Sequence, residues 1–533
     1  MTSRVIQHLE RLPLEAKIGQ MMVIGFDSFT ASDYLKEFIV SRNLGGVILF
    51  ARNIDSPEQV TQLNKEIQQH AIDSPWRYPL WICVDQEGGS VTRLNEGVCV
   101  SPGNMNLAAG STFAQVEEIC ELVGRELKSL GFNMNLAPMG SLCTNRYNTI
   151  LGTRTFGDQP EVVKEFVAAS VRGYQKHLLA VAKGFPGHGD AQVDAHKGLS
   201  SVNHDMDRLE SVELKPFLAA LDAGVEAIMT THVHFARIDP DYRSSSLSRQ
   251  VIDEFLRKRL GFDRLVITDC MEMKAVTNEH QMGEAAVLAV EAGADLLLIS
   301  HTPELQEIAF HALLGAVRSG RITETRIDLS LKRIDEAKRK YANKELTKPN
   351  FGLIGSPTGR KMMEEAAYRG ITLLRDRNRN LPLQGKDLVV IEPRPAATNR
   401  AEDVVISPRT LANSLSKFGF NVSQKLYQLG ADLSELNVPE ALTADYVIFV
   451  TQDGHCRPEQ IGIVHRLTDS FKNLIVIGSR TPYEIDQLNG VGTYLCAYSN
   501  QPIVWDGVCQ VLMGKPAVGK LPVWVSSEYR GMS

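Results

Sequence analysis

Through residues 1–345, short apolar runs alternate with longer amphipathic segments. The runs cover 21–26, 45–50, 80–85, 134–138, 178–182, 227–231, 265–269 and 294–299. Each is nearly continuous in Val, Ile, Leu, Met and Ala, the pattern of a strand buried on both faces. Between them, segments such as 161–177, 209–223 and 249–260 repeat apolar residues at helical spacing. Gly131, Gly224, Gly261 and Gly293 follow helical segments in the position that stops a helix. Eight such repeats predict an α/β fold whose first domain is a (β/α)8 TIM barrel. An open doubly wound sheet is the alternative, but no Gly-x-Gly-x-x-Gly turn follows the first run.

Residues 323–344 are highly charged with spaced Ile and Leu, and predict a solvent-facing helix that closes the barrel. A Pro- and Gly-rich linker with a connecting helix is expected over 346–370. Beyond it, apolar runs at 371–374, 388–391, 446–450, 474–477 and 494–498 predict a smaller α/β sandwich domain over 371–533, with a mainly parallel sheet. The expected domains are therefore 1–345, the 346–370 link, and 371–533.

A barrel of this kind carries its chemistry at the C-terminal ends of its strands. Asp85, Lys183, His232 and Asp269 all stand at, or just past, the end of a run. The run at 178–182 breaks at once into Lys183-Gly-Phe-Pro-Gly-His-Gly-Asp-Ala-Gln-Val-Asp-Ala-His196, which Gly and Pro forbid from continuing as strand or helix. In a non-helical loop Asp194 can accept from one imidazole nitrogen of His196 and leave the other for proton transfer. His188, inside Pro-Gly-His-Gly, reads as loop architecture. Asp85 and Arg93 flank a Gly88-Gly89 turn, and Arg154 lies in another Gly-punctuated loop; each is taken alone as a structural ion pair or brace. Asp269 ends an apolar run where a carboxylate is costly unless used or paired. Met273 belongs to pocket wall or core.

Composition narrows the partners. The 533 residues carry 57 Lys and Arg against 63 Asp and Glu, a net charge of −6, with no long basic run. Nucleic acid and anionic membranes are thereby disfavoured. No stretch is apolar enough to span a bilayer, and the N-terminus lacks the apolar core of a signal peptide. The eight cysteines form no Cys-x-x-Cys pair and read as reduced thiols of a cytoplasmic protein. No Cys/His spacing or His-Glu-x-x-His supports a metal site, and no cofactor motif is present.

Taken together, Val84-Asp-Gln-Glu-Gly-Gly with Arg93, Ile150-Leu-Gly-Thr-Arg-Thr-Phe-Gly157, Lys183-x-Phe-Pro-Gly-His-Gly-Asp, Asp194-Ala-His196, and Ile267-Thr-Asp269 with Met273 resemble glycoside hydrolase family 3, in its β-N-acetylglucosaminidase branch. Ile371-Thr-Leu-Leu-Arg-Asp, Leu381-Pro-Leu and the 514–522 segment resemble the family's second domain. The resemblance implies a retaining exo-glycosidase acting on a small carbohydrate, as a monomer or homodimer. It implies Asp269 as nucleophile, His196 as acid/base and Asp194 as its partner. It further implies Asp85, Arg93, Arg154, Lys183, His232 and Met273 as substrate-binding positions. Three positions depart from the family pattern: Gly184 and Ser141, where His and Asp are usual, and Ser90, where Arg is usual. Phosphorolysis, a β-glucosidase or xylosidase activity, and an inactive sugar-binding homologue remain as alternatives.

Overall fold

The computed structural model describes residues 12–342, 350–399, 401–402, 410–433, 436, 438 and 443–529. Eight parallel strands close into a barrel: β1 (Met22–Ile24), β2 (Gly46–Leu49), β3 (Trp81–Val84), β4 (Met134–Asn135), β5 (Leu179–Phe185), β6 (Ala227–Thr230), β7 (Leu265–Cys270) and β8 (Leu296–Ile299). Each strand pairs with its neighbour in sequence, and β8 closes on β1. All eight expected runs are thus barrel strands. Their side chains are almost wholly buried because helices cover the outside and side chains fill the inside. Each such Val, Ile or Leu contributes roughly 1.5–3 kcal/mol through burial.

Two expectations need correction. β5 does not break after residue 182. It continues through Lys183 and Gly184 to Phe185, because Gly184, at φ 92°, is absorbed as a bulge: Lys183 pairs with Met229 and Phe185 with Thr230. The charged helix Glu324–Tyr341 is not simply solvent-facing either. It buries Ile327, Leu331 and Ile334, and with them Lys338. The Lys338 ammonium donates to Gln20 Oε1 at 2.8 Å and to the carbonyls of Gly45 and Pro79 at 2.9 and 2.7 Å, beneath the barrel. Burial lowers its pKa to about 7.

The second sheet has six strands: β9 (Thr372–Asp376), β10 (Asp387–Pro393), β11 (Asn421–Tyr427), β12 (Tyr446–Thr451), β13 (Leu474–Gly478) and β14 (Thr493–Cys496). Their order is β9-β14-β13-β12-β10-β11, and only the β9–β14 pair is antiparallel. β11 has no counterpart among the expected runs. It is an edge strand in which only Tyr427 is fully buried, so it carries no apolar run to see. The expected border at 345/346 lies outside the described residues.

The second domain is clamped onto the barrel around β3. Gln501 Nε2 donates to the Gly89 carbonyl at 2.6 Å, and Asn106 Nδ2 to the Ala497 carbonyl at 2.9 Å. All eight cysteines are free, and six of them are buried. Among the described residues, no helix is long and apolar enough to cross a membrane.

Candidate active site

A cleft opens at the C-terminal ends of the barrel strands, lined by Asp85, Lys183, Arg154, Asp194, His196 and Asp269 among others. Its volume is about 220 Å³, below the ~300–1,000 Å³ usual for drug-sized ligands and suited to one sugar ring. Ala401, from the second domain, also lines it, and the Ala401 carbonyl accepts from Arg93 Nη1 at 2.9 Å.

The floor is a lattice of charges from distant parts of the chain. Lys183 Nζ lies 2.6 Å from both Asp85 Oδ1 and Glu87 Oε1. Arg93 Nη2 approaches Asp85 Oδ2 at 3.4 Å. Arg154 grips Glu87 with Nε and Nη2 at 3.0 and 2.8 Å. Burial would push both carboxyls up in pKa, but the neighbouring cations prevail: Lys183 and Arg93 hold Asp85 down to about 2, and Arg154 and Lys183 hold Glu87 below its ordinary value. Both acids are therefore ionised.

Asp269 stands at the end of β7, where the register against β8 slips: Ile267 pairs with Leu296, but Cys270 with Leu298. A bulge of this kind re-aims a side chain at the rim of a barrel. Asp269 Oδ1 accepts from the Cys270 backbone N at 2.7 Å, the side chain is only partly buried, and it lines the cleft.

The Asp194–His196 turn lies in the same cleft. Asp194 Oδ1 accepts from the His196 backbone N at 2.9 Å and meets His196 Nδ1 at 2.8 Å. The proton on Nδ1 leaves Nε2 for exchange with a ligand. Burial raises the Asp194 pKa, but the bonds from His196 outweigh it and hold the carboxyl below its usual value. The turn is tied to the loop that follows Asp269: Ala275 N, just past Met273, donates to the Ala195 carbonyl at 2.9 Å.

Comparison with known proteins now decides the lineage. Residues 13–337 match the family model described as the glycosyl hydrolase family 3 N terminal domain. The chain belongs to glycosyl hydrolase family 3. A curated relative, β-hexosaminidase A of Pseudoalteromonas piscicida, is 30% identical over 382 residues, 67% of this chain and 63% of that one. The match thus spans less than two thirds of that relative's length. The β-hexosaminidase of Stenotrophomonas maltophilia (strain R551-3) is 32% identical over 302 residues, 55% of this chain and 87% of that one. Among solved structures, a family 3 β-N-acetylglucosaminidase from Paenibacillus sp. str. FPU-7 aligns with a TM-score of 0.89 at 35% identity, covering 96% of this chain and 99% of that one.

Of the substrate-binding positions expected for a family 3 enzyme, Asp85, Arg93, Arg154, Lys183 and Met273 line the cleft. His232 does not. It is fully buried: Nε2 donates to the Cys270 carbonyl at 2.9 Å, and Nδ1 accepts from Ser246 Oγ. It braces the residue after Asp269, and both ring nitrogens are taken. Glu272 accepts from His301 N at 2.7 Å and Thr302 Oγ1 at 2.6 Å, at the start of helix Pro303–Arg318. Glu87 is the acid that sequence reasoning passed over; its only signal was its place inside Asp-Gln-Glu-Gly-Gly. Asp190, His204 and Glu213 bring ligand atoms within 4.8 Å of one another. Arg208 sits among them, 3.1 Å from Glu213 and 3.8 Å from Asp190, and supplies the counter-charge a metal would.

Proposed function

We propose that the chain is a retaining exo-glycosidase that removes terminal β-linked N-acetylglucosamine from cell-wall fragments or chitin-type oligosaccharides. The observation that carries this reading is the 2.8 Å Asp194–His196 contact in a cleft that Asp269 also lines. Glycosidases ordinarily pair two carboxyl groups. Among the described residues, the carboxylates lining this cleft are Asp85, Glu87, Asp194 and Asp269. Asp85 and Glu87 are locked to cations and held ionised, so neither can deliver a proton near neutrality. Asp194 is committed to His196. That leaves Asp269 as nucleophile and His196 as acid and base.

Asp269 attacks the anomeric carbon while His196 protonates the leaving oxygen, giving a glycosyl ester on Asp269. Water, deprotonated by His196, then attacks the same carbon and frees the carboxylate. Asp85, Arg93, Arg154 and Lys183 offer fixed charges to the sugar hydroxyls, and the small cleft favours a single terminal residue. The β-hexosaminidase names of the curated relatives support the same class. A cytoplasmic enzyme agrees with its eight free thiols.

Phosphorolysis is a second reading. The cations that line the floor and a histidine that is neutral after giving up its proton would admit an anionic acceptor. One assay separates the readings: a chromogenic N-acetylglucosaminide beside the matching glucoside, with and without phosphate, and Asp269→Asn as control. Preference for the glucoside would overturn the sugar assignment. Turnover unaffected by Asp269→Asn would remove the nucleophile, and a sugar phosphate among the products would select phosphorolysis.

A further inference from the structure

His188 has a role that its place in a Pro-Gly-His-Gly turn hides. Its ring lines the cleft together with Gly184, Arg154, Lys183 and Asp269, and is partly exposed to it. One edge is held. Nδ1 lies 3.1 Å from Ser141 Oγ and 3.4 Å from the Gly184 carbonyl, while the His188 backbone N donates to Ser141 Oγ at 3.2 Å. Asn148 Nδ2 fixes the backbone beneath it, donating to the carbonyls of His188 and Gly189 at 3.0 Å each. The other edge has no partner: among the described residues, nothing hydrogen-bonds Nε2.

The ring can sit there because of two small neighbours. A Cβ on Gly184 would lie 2.5 Å from His188 Cε1 and 2.6 Å from Nδ1, distances that real Cβ atoms do not reach. Any side chain at 184 therefore expels the imidazole. Ser141 is fully buried and presents a hydroxyl small enough to meet the ring. Gly184 and Ser141, two of the three departures from the family pattern, thus act on one object.

We propose that His188 is a specificity-determining residue, whose Nε2 hydrogen-bonds a hydroxyl of the bound terminal sugar from a position that Gly184 and Ser141 leave open. A sugar hydroxyl both donates and accepts, so it satisfies Nε2 in either tautomer. Burial and the nearby Arg154 hold the pKa of His188 down to about 4, so the contact is made by a neutral ring and discriminates by geometry rather than charge.

The inference deepens the glycosidase reading and rests on the cleft being its sugar site. The test uses the full chain and a panel of p-nitrophenyl β-glycosides: N-acetylglucosaminide, glucoside and xyloside. His188→Asn keeps a polar group where Nδ1 meets Ser141 and removes Nε2. It should raise KM about tenfold or more on the preferred substrate and change the ratio of kcat/KM between sugars, with the thermal midpoint unchanged. His188→Gln, which returns a polar atom near Nε2, should recover much of the loss. His188→Ala, which removes the ring altogether, should shift selectivity in the same direction and serves if the Asn variant folds poorly. Unchanged KM and selectivity in His188→Asn or His188→Ala would overturn the proposal, as would losses that simply follow lost stability. If the wild type prefers another sugar, the N-acetylglucosaminidase reading falls and the same comparison is made on that sugar. If it turns over none, calorimetric binding of the free monosaccharides replaces the rates.

Discussion

The floor of the cleft and the turn at its side are held on opposite plans. In the floor, Asp85 and Glu87 each meet two cations, and their partners come from β5 and from loops after β3 and β4. In the Asp194–His196 turn one side-chain pair meets, and backbone bonds do the rest: Lys197 N and Gly198 N to the Asp194 carbonyl at 2.7 and 3.1 Å, and Gln192 N to Ser200 Oγ at 3.0 Å. A buried lattice of ion pairs couples binding to stability, since removing any member strands the others. A turn with few partners can lose its chemistry and keep its fold. On the proposed reading the contrast divides the labour of the site: rigid charge would position the sugar, and a lightly held imidazole would move the proton.

The largest effect should come from the residue that faces both regions. Asp269→Asn should lower turnover by about 10⁴ or more in the chromogenic assay, with little change in stability. Residual activity within tenfold of wild type would remove Asp269 from the chemistry. Next is the floor itself: Glu87→Gln leaves Arg154 and Lys183 short of a buried counter-charge and should cost about 3 kcal/mol in denaturant unfolding, while KM rises. Retained stability would show that the lattice is less coupled than its geometry implies. Asp194→Asn should then lower kcat by about 10²–10³ and leave the unfolding midpoint where it was, because only the orientation and proton of His196 are lost. A stability loss as large as that of Glu87→Gln would erase the contrast.

The smallest effect lies in the pH dependence of stability. Asp85 has a folded pKa near 2, so its contribution is complete above its unfolded value of 3.8 and is lost only as the pH falls toward about 2. His188 behaves otherwise. Its pKa falls from 6.5 to about 4, so between those values the unfolded chain takes up a proton that the folded chain refuses, and stability declines as the pH drops. Thermal melts across pH 7 to 4 should show that decline in the wild type and a flatter profile in His188→Asn.

Asp85, Lys183, Asp194, His196 and Asp269 were legible as polar residues ending apolar runs or crowded into a breaker-rich loop. The same rule selected His232, and there it failed. A polar residue at a strand end meets either cleft or neighbouring loop, and Ser246, from a loop after β6, takes the place a ligand would have. Glu87 failed the rule in the other direction. Three residues past its strand it looks like turn chemistry, and only Arg154, 67 residues on, makes it part of the floor.

By itself the sequence determined the barrel, the alternating second domain and the strand ends where chemistry collects. Apolar period is a local property, and each run declares its burial without reference to the others. It also supplied Gly184, Ser141 and His188 as three separate oddities. Folding made them one cluster, just as it brought Lys183 to Asp85 across 98 residues of chain. Charge pairing and close packing act through space between strands, so the partners of a buried charge, and the room left by a missing side chain, exist only once the barrel has closed.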